Sequence, residues 1–264
     1  MSRFILVTAT ALLAAALSPA AASDLVPTGT LRATFIDSNP VQAVINAQTG
    51  EVRGPAAELA SELARRLNVP FKITGARGVP GVIDSVKKRE ADIGFVAYDP
   101  VRAVEVDFSQ TYSLAQNTYV VLDRSPLRSV AEMDRAGLRI GVGERDAGDF
   151  FLTRTLKNAE LKRNPGGNLD VAMKLLNAGE IDAYAANRQR LSELAARVTG
   201  VRLFPDNFYG VEQAIIVAKG KTALLEIIQR MLDEARSSGL IAAAITRAGL
   251  VGVDVAPPRA QQVR

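Results

Sequence analysis

Apolar positions change period several times along the chain, and each change marks an element. Residues 30–36 (Thr-Leu-Arg-Ala-Thr-Phe-Ile) alternate as a strand does and stop at Asp37-Ser38-Asn39-Pro40, a loop composition. The stretch 48–54 (Gln-Thr-Gly-Glu-Val-Arg-Gly) is turn-rich and suggests a hairpin. From Pro55 the spacing becomes helical, with Leu59, Leu63 and Leu67 recurring every fourth residue and Glu62 one turn before Arg66. Asn68-Val69-Pro70 ends that helix, and a strand begins at Phe71. Residues 79–88 read as a second helix and 93–97 (Ile-Gly-Phe-Val-Ala) as a short buried strand. This strand–helix alternation predicts a parallel sheet covered by helices.

A second unit starts near Asn117. Residues 118–122 are β-branched and aromatic enough to cross between two lobes, and 138–142 (Leu-Arg-Ile-Gly-Val) form a buried strand. Gly143 to Gly148 then lead into a helix through Phe151, Leu152, Thr155 and Leu156. The pattern repeats with a strand near 161–163, a helix over 169–178 and strands over 181–186 and 201–204. Residues 211–218 (Val-Glu-Gln-Ala-Ile-Ile-Val-Ala) have the composition of a return crossing. Leu224, Ile228, Met231 and Ala235 make one helical stripe, Ser238-Gly239 breaks it, and 240–248 continue as a last helix before a frayed end at Pro257-Pro258.

Chemistry concentrates at 91–112. The strand 93–97 hands over to Asp99-Pro100, a cap followed by a good first-turn residue, and then to Arg102. Groups beyond the carboxyl end of such a strand face the crevice where open α/β sheets bind ligands. Arg102 there is a permanently charged fork suited to a carboxylate. The plainer reading pairs it with Asp99 on a helix surface, a weak and common arrangement.

The same segment resembles the family 3 extracellular solute-binding proteins, periplasmic receptors that feed ABC importers. Their pattern runs Asp-Ile/Leu, Thr-Pro-Glu-Arg and Val-Asp-Phe-Ser-x-Pro-Tyr. Asp92-Ile93, Asp99-Pro100-Val101-Arg102 and Val106-Asp107-Phe108-Ser109-Gln110-Thr111-Tyr112 stand in those places. Further landmarks are Gly54 with the helix after it, Arg139-Ile140-Gly141-Val142, and Ala178-Gly179-Glu180-Ile181-Asp182-Ala183. The resemblance implies an α/β, two-lobed type II periplasmic-binding-protein fold, with two sheets flanked by helices and a hinge crossed twice by the chain. Lobe 1 would hold 27–117 and 212–250, lobe 2 would hold 118–211, and 251–264 would be a tail.

Composition narrows the function. Arg3, the apolar run from Phe4 to Leu17 and the small residues Ala20-Ala21-Ala22 read as a secretory signal over residues 1–22. That run is shorter than the roughly 20 residues a membrane span needs, so no membrane insertion of the mature chain is expected. With no histidine and no cysteine, a Ser-His-Asp triad, a cysteine nucleophile, a disulfide and the usual zinc sites are all out of reach. Nor is there a Gly-x-x-x-x-Gly-Lys phosphate loop, and no cofactor is implied. Thirty-two basic residues against 28 acidic ones, mixed along the chain, give no nucleic-acid stripe.

Ten residues become ligand candidates. By resemblance, Arg102 clamps the ligand carboxylate, with Ala97 and Tyr98 nearby; Tyr98 either walls the pocket or packs against its neighbours. Asn39 offers an amide or merely completes an Asn-Pro turn, and Asp37 is a carboxylate within reach of an ammonium. Gly143, Asp146 and Ala147 lie between a strand and a helix start, where free N–H groups favour an anion, although Asp146 reads as the cap that fills this role itself. Relatives carry a Thr where this chain has Ala147. Asn187 stands where amino-acid receptors of the family often place the acid that holds the ligand's ammonium, and Gln213 sits on the return crossing. Asp92 and Asp182 read as turn caps away from the cleft, and Phe108 as core.

The expected function is therefore capture of a small polar or anionic solute (an amino acid or related carboxylate) in the periplasm by a monomer, and delivery to an ABC permease. No covalent chemistry is implied. Two alternatives use the same fold: a cyclohexadienyl-type dehydratase with Glu144 or Asp37 as the acid, or a sensory module docking on a membrane partner.

Overall fold

The computed structural model describes residues 25–258. The signal-peptide expectation for 1–22 and the end of the expected tail, 259–264, lie outside the described residues.

In the first half, β1 (Leu31–Ile36) pairs in parallel with β4 (Phe71–Ala76) on one side and β5 (Ile93–Ala97) on the other. The helices α1 (Pro55–Leu67) and α2 (Gly78–Lys87) make the connections between these strands. Strand β11 (Tyr209–Ala218) lies next, antiparallel to both β5 and β6 (Val106–Leu122). Its register against β6 shifts around Ala214, where the ladder carries a bulge or irregularity. In the second half β9 (Ala183–Asn187) runs antiparallel to β6, followed by β7 (Arg139–Gly143) and β8 (Glu160–Asn164) in parallel. Each half is thus three parallel strands closed by an antiparallel strand, and hydrogen bonding is continuous between the halves through β6 and β11. A small hairpin of β2 (Val44–Ile45) and β3 (Val52–Arg53) stands apart, at the turn-rich stretch, and the short β10 (Val201–Leu203) pairs antiparallel with β6.

Alternation along the strands supplies apolar groups to both faces of each half. Phe35, Ile93 and Phe95 join Leu59, Leu63 and Leu67 of α1 and Leu224, Ile228 and Met231 of α6 (Thr222–Ser237) in one core. The intervening Val96, with Val106 and Ile216, packs on Val82, Ile83 and Val86 of α2. In the second half Tyr119, Ile140 and Val142 meet Leu152 of α3 (Ala147–Thr155). Val120, Tyr184 and Ala186 meet α4 (Leu169–Asn177) and α5 (Arg188–Ala195) on the other face. The sequence pattern did not mark α5.

Both halves carry the same tie at the sheet end remote from the crevice. Arg32 N and Nε donate to Asp92 Oδ2 at 2.8 and 3.1 Å, and Nη2 to Oδ1 at 2.8 Å. Arg139 repeats this with Asp182 at 2.8, 3.3 and 3.1 Å. The two aspartates, expected as turn caps, therefore lock the first strand of each half to its third.

Three differences from the sequence pattern have physical causes. Strand β6 runs unbroken for 17 residues where only 118–122 read as a strand. Gln110, Thr111, Ser113 and Asn117 interrupt the apolar pattern before it, yet they are buried like Thr118, and most find partners: Thr111 Oγ1 donates to Glu212 Oε2 at 2.7 Å and Thr118 Oγ1 to Asp206 O at 2.7 Å. Asp99 accepts the Val101 N–H at 2.9 Å as a cap would, but only a 3-10 turn (Arg102–Val104) follows, because β6 starts at once. Past residue 250 the expected tail opens with a strand: β12 (Val253–Val255) adds to β6, and Ala256 is buried. Just before β12, Val251 N donates to Gln189 Oε1 at 2.5 Å.

Leu63 is fully enclosed in the first core. Leu63→Ala is expected to cost about 2–5 kcal/mol, because a packed interior relaxes only partly around a lost isobutyl group. Urea denaturation followed by circular dichroism measures this.

Candidate functional site

The carboxyl ends of β1, β5, β7, β8 and β9 all face one cavity of about 470 Å³ between the halves, a volume suited to a small solute. The first half contributes Ser38, Asn39 and Pro40 after β1, Val79 at the start of α2, and Ala97 and Arg102 at and after β5. The second contributes Arg145, Asp146 and Ala147 between β7 and α3, Gly166 after β8, and Asn187 and Arg190 at the start of α5. Asn117 of β6 and Gln213 of β11 lie where the halves join.

Arg102 donates one hydrogen bond, from Nη1 to Ala97 O at 2.8 Å. Among the described residues no carboxylate lies within ion-pairing distance of it, so the surface pair with Asp99 does not form. Burial lowers the guanidinium's pKa, with Asp99 and Tyr209 acting in the opposite sense. The remaining donors are half-buried, and no carboxylate among the described residues forms a salt bridge with them.

On the facing wall Asp146 occupies the N-cap position of α3, but its carboxylate makes no capping hydrogen bond. This corrects the expectation that Asp146 caps the helix itself. Its Oδ2 lies 3.8 Å from Arg190 Nη1, and burial raises its pKa, with Arg190 pulling it down. A Cβ on Gly143 would collide with this carboxylate, so Gly143 gives the acid room and does not itself line the cavity. Arg190 also donates from Nη2 to Gly167 O at 2.8 Å.

Asp149, in the first turn of α3, does the local anchoring. It is 4% exposed and accepts from Arg145 N at 2.9 Å, Thr153 Oγ1 at 3.1 Å and Arg163 Nε at 3.0 Å. These bonds hold Arg145 in a left-handed conformation (φ 62) that a side chain rarely adopts, at the edge of the cavity.

Asn187 ends β9 and caps α5, its Oδ1 accepting from Gln189 N at 3.0 Å, which leaves its NH₂ and one oxygen lone pair for the cavity. Gln213 Oε1 accepts from Gln42 Nε2 at 3.1 Å, and Gln42 Oε1 accepts from Ile36 N at 2.9 Å, which fixes the amide of Gln213 against the first half. Asn39 Oδ1 accepts from Val41 N at 3.2 Å, so it completes a turn as well as lining the cavity.

Of the ten candidates, Asn39, Ala97, Arg102, Asp146, Ala147, Asn187 and Gln213 meet at this cavity. Asp37, Tyr98 and Gly143 do not. Asp37 is exposed and turned over Gly75 of β4, and Tyr98 stands edge-on to Phe108 with ring centroids 5.2 Å apart. Glu144 is exposed and lies outside the lining. Sequence reasoning passed over Asn117, Arg145 and Arg190. Arg190 lies three residues beyond Asn187, one helical turn along α5, and recognising that helix would have found it.

Asp149 contributes a pH dependence at this wall. Burial alone would raise its pKa, but the Arg145 N–H, the Arg163 guanidinium and the Thr153 hydroxyl outweigh it and hold the carboxyl below the ordinary range. A depressed folded-state pKa stabilises above the unfolded value and is lost as pH falls through the folded one. Asp149→Asn should therefore cost about 1–3 kcal/mol at pH 7, and the deficit should shrink on acidification below the usual carboxylate range. Denaturant titrations of both proteins across pH 3–7 check this.

Comparison with solved structures places this architecture. A mutant of ArgBP from T. maritima is 22% identical, with a TM-score of 0.64 over 87% of this chain and 99% of that one. An amino acid ABC transporter substrate-binding protein from Streptococcus pneumoniae, bound to L-arginine, is 18% identical with a TM-score of 0.66 over 88% and 99%. An ancestral amino acid-binding protein, described as a precursor of cyclohexadienyl dehydratase, is 18% identical with a TM-score of 0.64 over 86% and 98%. At these identities the likeness shows the fold, that of type II periplasmic binding proteins. No curated protein matches the chain. The family model for bacterial extracellular solute-binding proteins, family 3, matches residues 32–248, and the chain belongs to that family.

Proposed function

We propose that this protein is an exported receptor that closes over a small anionic solute and delivers it to the permease of an ABC importer. The observation that carries the reading is Arg102, a half-buried guanidinium in an interhalf cavity with no carboxylate partner among the described residues. An Arg fork so placed gains two charge-assisted hydrogen bonds from a ligand carboxylate. The uncapped start of α3 on the opposite wall adds first-turn amides that favour the same charge.

In this reading 27–117 with 212–250 form one lobe and 118–211 the other, and each carries its own cores. The crossing strands β6 and β11 act as the hinge, and a solute touching both walls stabilises the closed arrangement. A monomer exported by a signal over residues 1–22 to the periplasm fits the family and the N-terminal pattern. The dehydratase alternative is weakened because its acids, Glu144 and Asp37, lie outside the cavity, leaving Asp146 as the acid there.

A thermal-shift panel of small acids, amino acids and amines tests the proposal. A ligand at about 100 times its Kd adds roughly 2.7 kcal/mol, which for a chain of this size is about 5–10 °C. Arg102→Ala is expected to weaken binding by about 100-fold while leaving the unliganded protein folded. A panel with no stabilising solute, or an Arg102→Ala protein that binds as tightly as the parent, refutes the receptor reading.

A further inference from the structure

The charge arrangement of the cavity narrows the solute class, on the basis of the receptor reading above. Three guanidinium groups line it, Arg102 from the first half and Arg145 and Arg190 from the second, against one carboxylate, Asp146. Arg102 spends a single N–H on Ala97 O, and Arg190 spends one on Gly167 O. Arg145 makes no side-chain ion pair among the described residues, and its left-handed backbone is held in place by Asp149. The amide side chains restore little of the balance: the Asn187 oxygen accepts from Gln189 N–H and the Gln213 oxygen from Gln42, and Asn117, whose NH₂ donates to Ala115 O and Tyr209 O, adds one neutral acceptor but no charge. A solute ammonium entering this cavity would have to share Asp146 with Arg190, already 3.8 Å from it, with the guanidinium groups of Arg102 and Arg145 also on the lining. Two separated negative charges, one for each wall, match what the protein presents.

We infer that the cavity takes a short dicarboxylate without an ammonium group, one carboxylate on Arg102 and the other on Arg145 and Arg190. Bridging the two walls in this way couples binding to closure, since neither half alone satisfies both ends of the solute. Two acid groups held apart suit this arrangement better than a compact anion such as phosphate, whose charge sits at one point.

Isothermal titration of the full chain with succinate, glutarate and 2-oxoglutarate, against L-glutamate, L-arginine, butyrate and inorganic phosphate, decides it. At least one dicarboxylate is expected to bind tenfold or more tightly than L-glutamate and butyrate, with affinity falling as salt rises. Arg190→Gln and, independently, Arg145→Gln should each reduce the dicarboxylate-over-butyrate preference by about tenfold. Arg145→Gln removes a side chain with no partner to lose, so it keeps the test valid if Arg190→Gln disturbs the Gly167 turn. L-glutamate or L-arginine binding more tightly than every dicarboxylate overturns this inference and leaves the receptor reading standing. Phosphate binding most tightly overturns the two-ended geometry alone. If the folded protein binds none of these probes, nor any solute of the wider panel, the receptor reading falls and takes this inference with it.

Discussion

The antiparallel pairing of β6 with β11 is the constraint on which the rest of the structure depends. These strands are shared by both halves, so each must bury a polar middle section as well as apolar ends. Asn117 and Gln213 survive inside because they find partners, Ala115 O and Tyr209 O for one and Gln42 for the other. Once this seam is made, the parallel strands on either side have only one way to present their carboxyl ends, toward each other. The cavity follows from the topology, and its chemistry follows from which side chains happen to cap those five strand ends.

Much of the fold could be read along the chain, because most elements have a clean period. The Leu59, Leu63 and Leu67 stripe forms α1, and the run from Ile93 forms β5. What escaped was decided by contacts distant in sequence. Gln110, Thr111 and Ser113 break the apolar pattern, and they join one continuous strand where β11 and α6 supply partners, as Gln229 does for the Gln110 N–H. Residues 253–255 are too short to show a period and form β12 because the edge of β6 is open there. Helix α5, opening Arg188-Gln189-Arg190, has a weak apolar face of Leu191 and Leu194 that sequence alone does not distinguish from a loop.

The candidate site divides in the same way. Arg102, named for lying just past a strand end, and Asn39 and Asn187, named by resemblance, reach the cavity because all three lie at or just beyond the carboxyl ends of strands. Tyr98 sits just past a strand too, but its ring finds Phe108. Asp146 lies where expected and behaves differently, since Asp149 takes over the anchoring and releases it toward Arg190. Such exchanges of role between neighbouring carboxylates depend on distances of an ångström or two, which no spacing rule encodes.

The matched ties of Arg32 to Asp92 and Arg139 to Asp182 separate two tasks that many folds entangle. Structural integrity is fastened at one pole of each half, where the two halves are nearly interchangeable. Recognition sits at the opposite pole, where they differ: one offers a lone guanidinium and the other two with an acid between. Loops at the recognising pole are thus free to drift toward new guests without loosening the fastenings, so a single scaffold can be retuned by exchanging a handful of side chains at its rim.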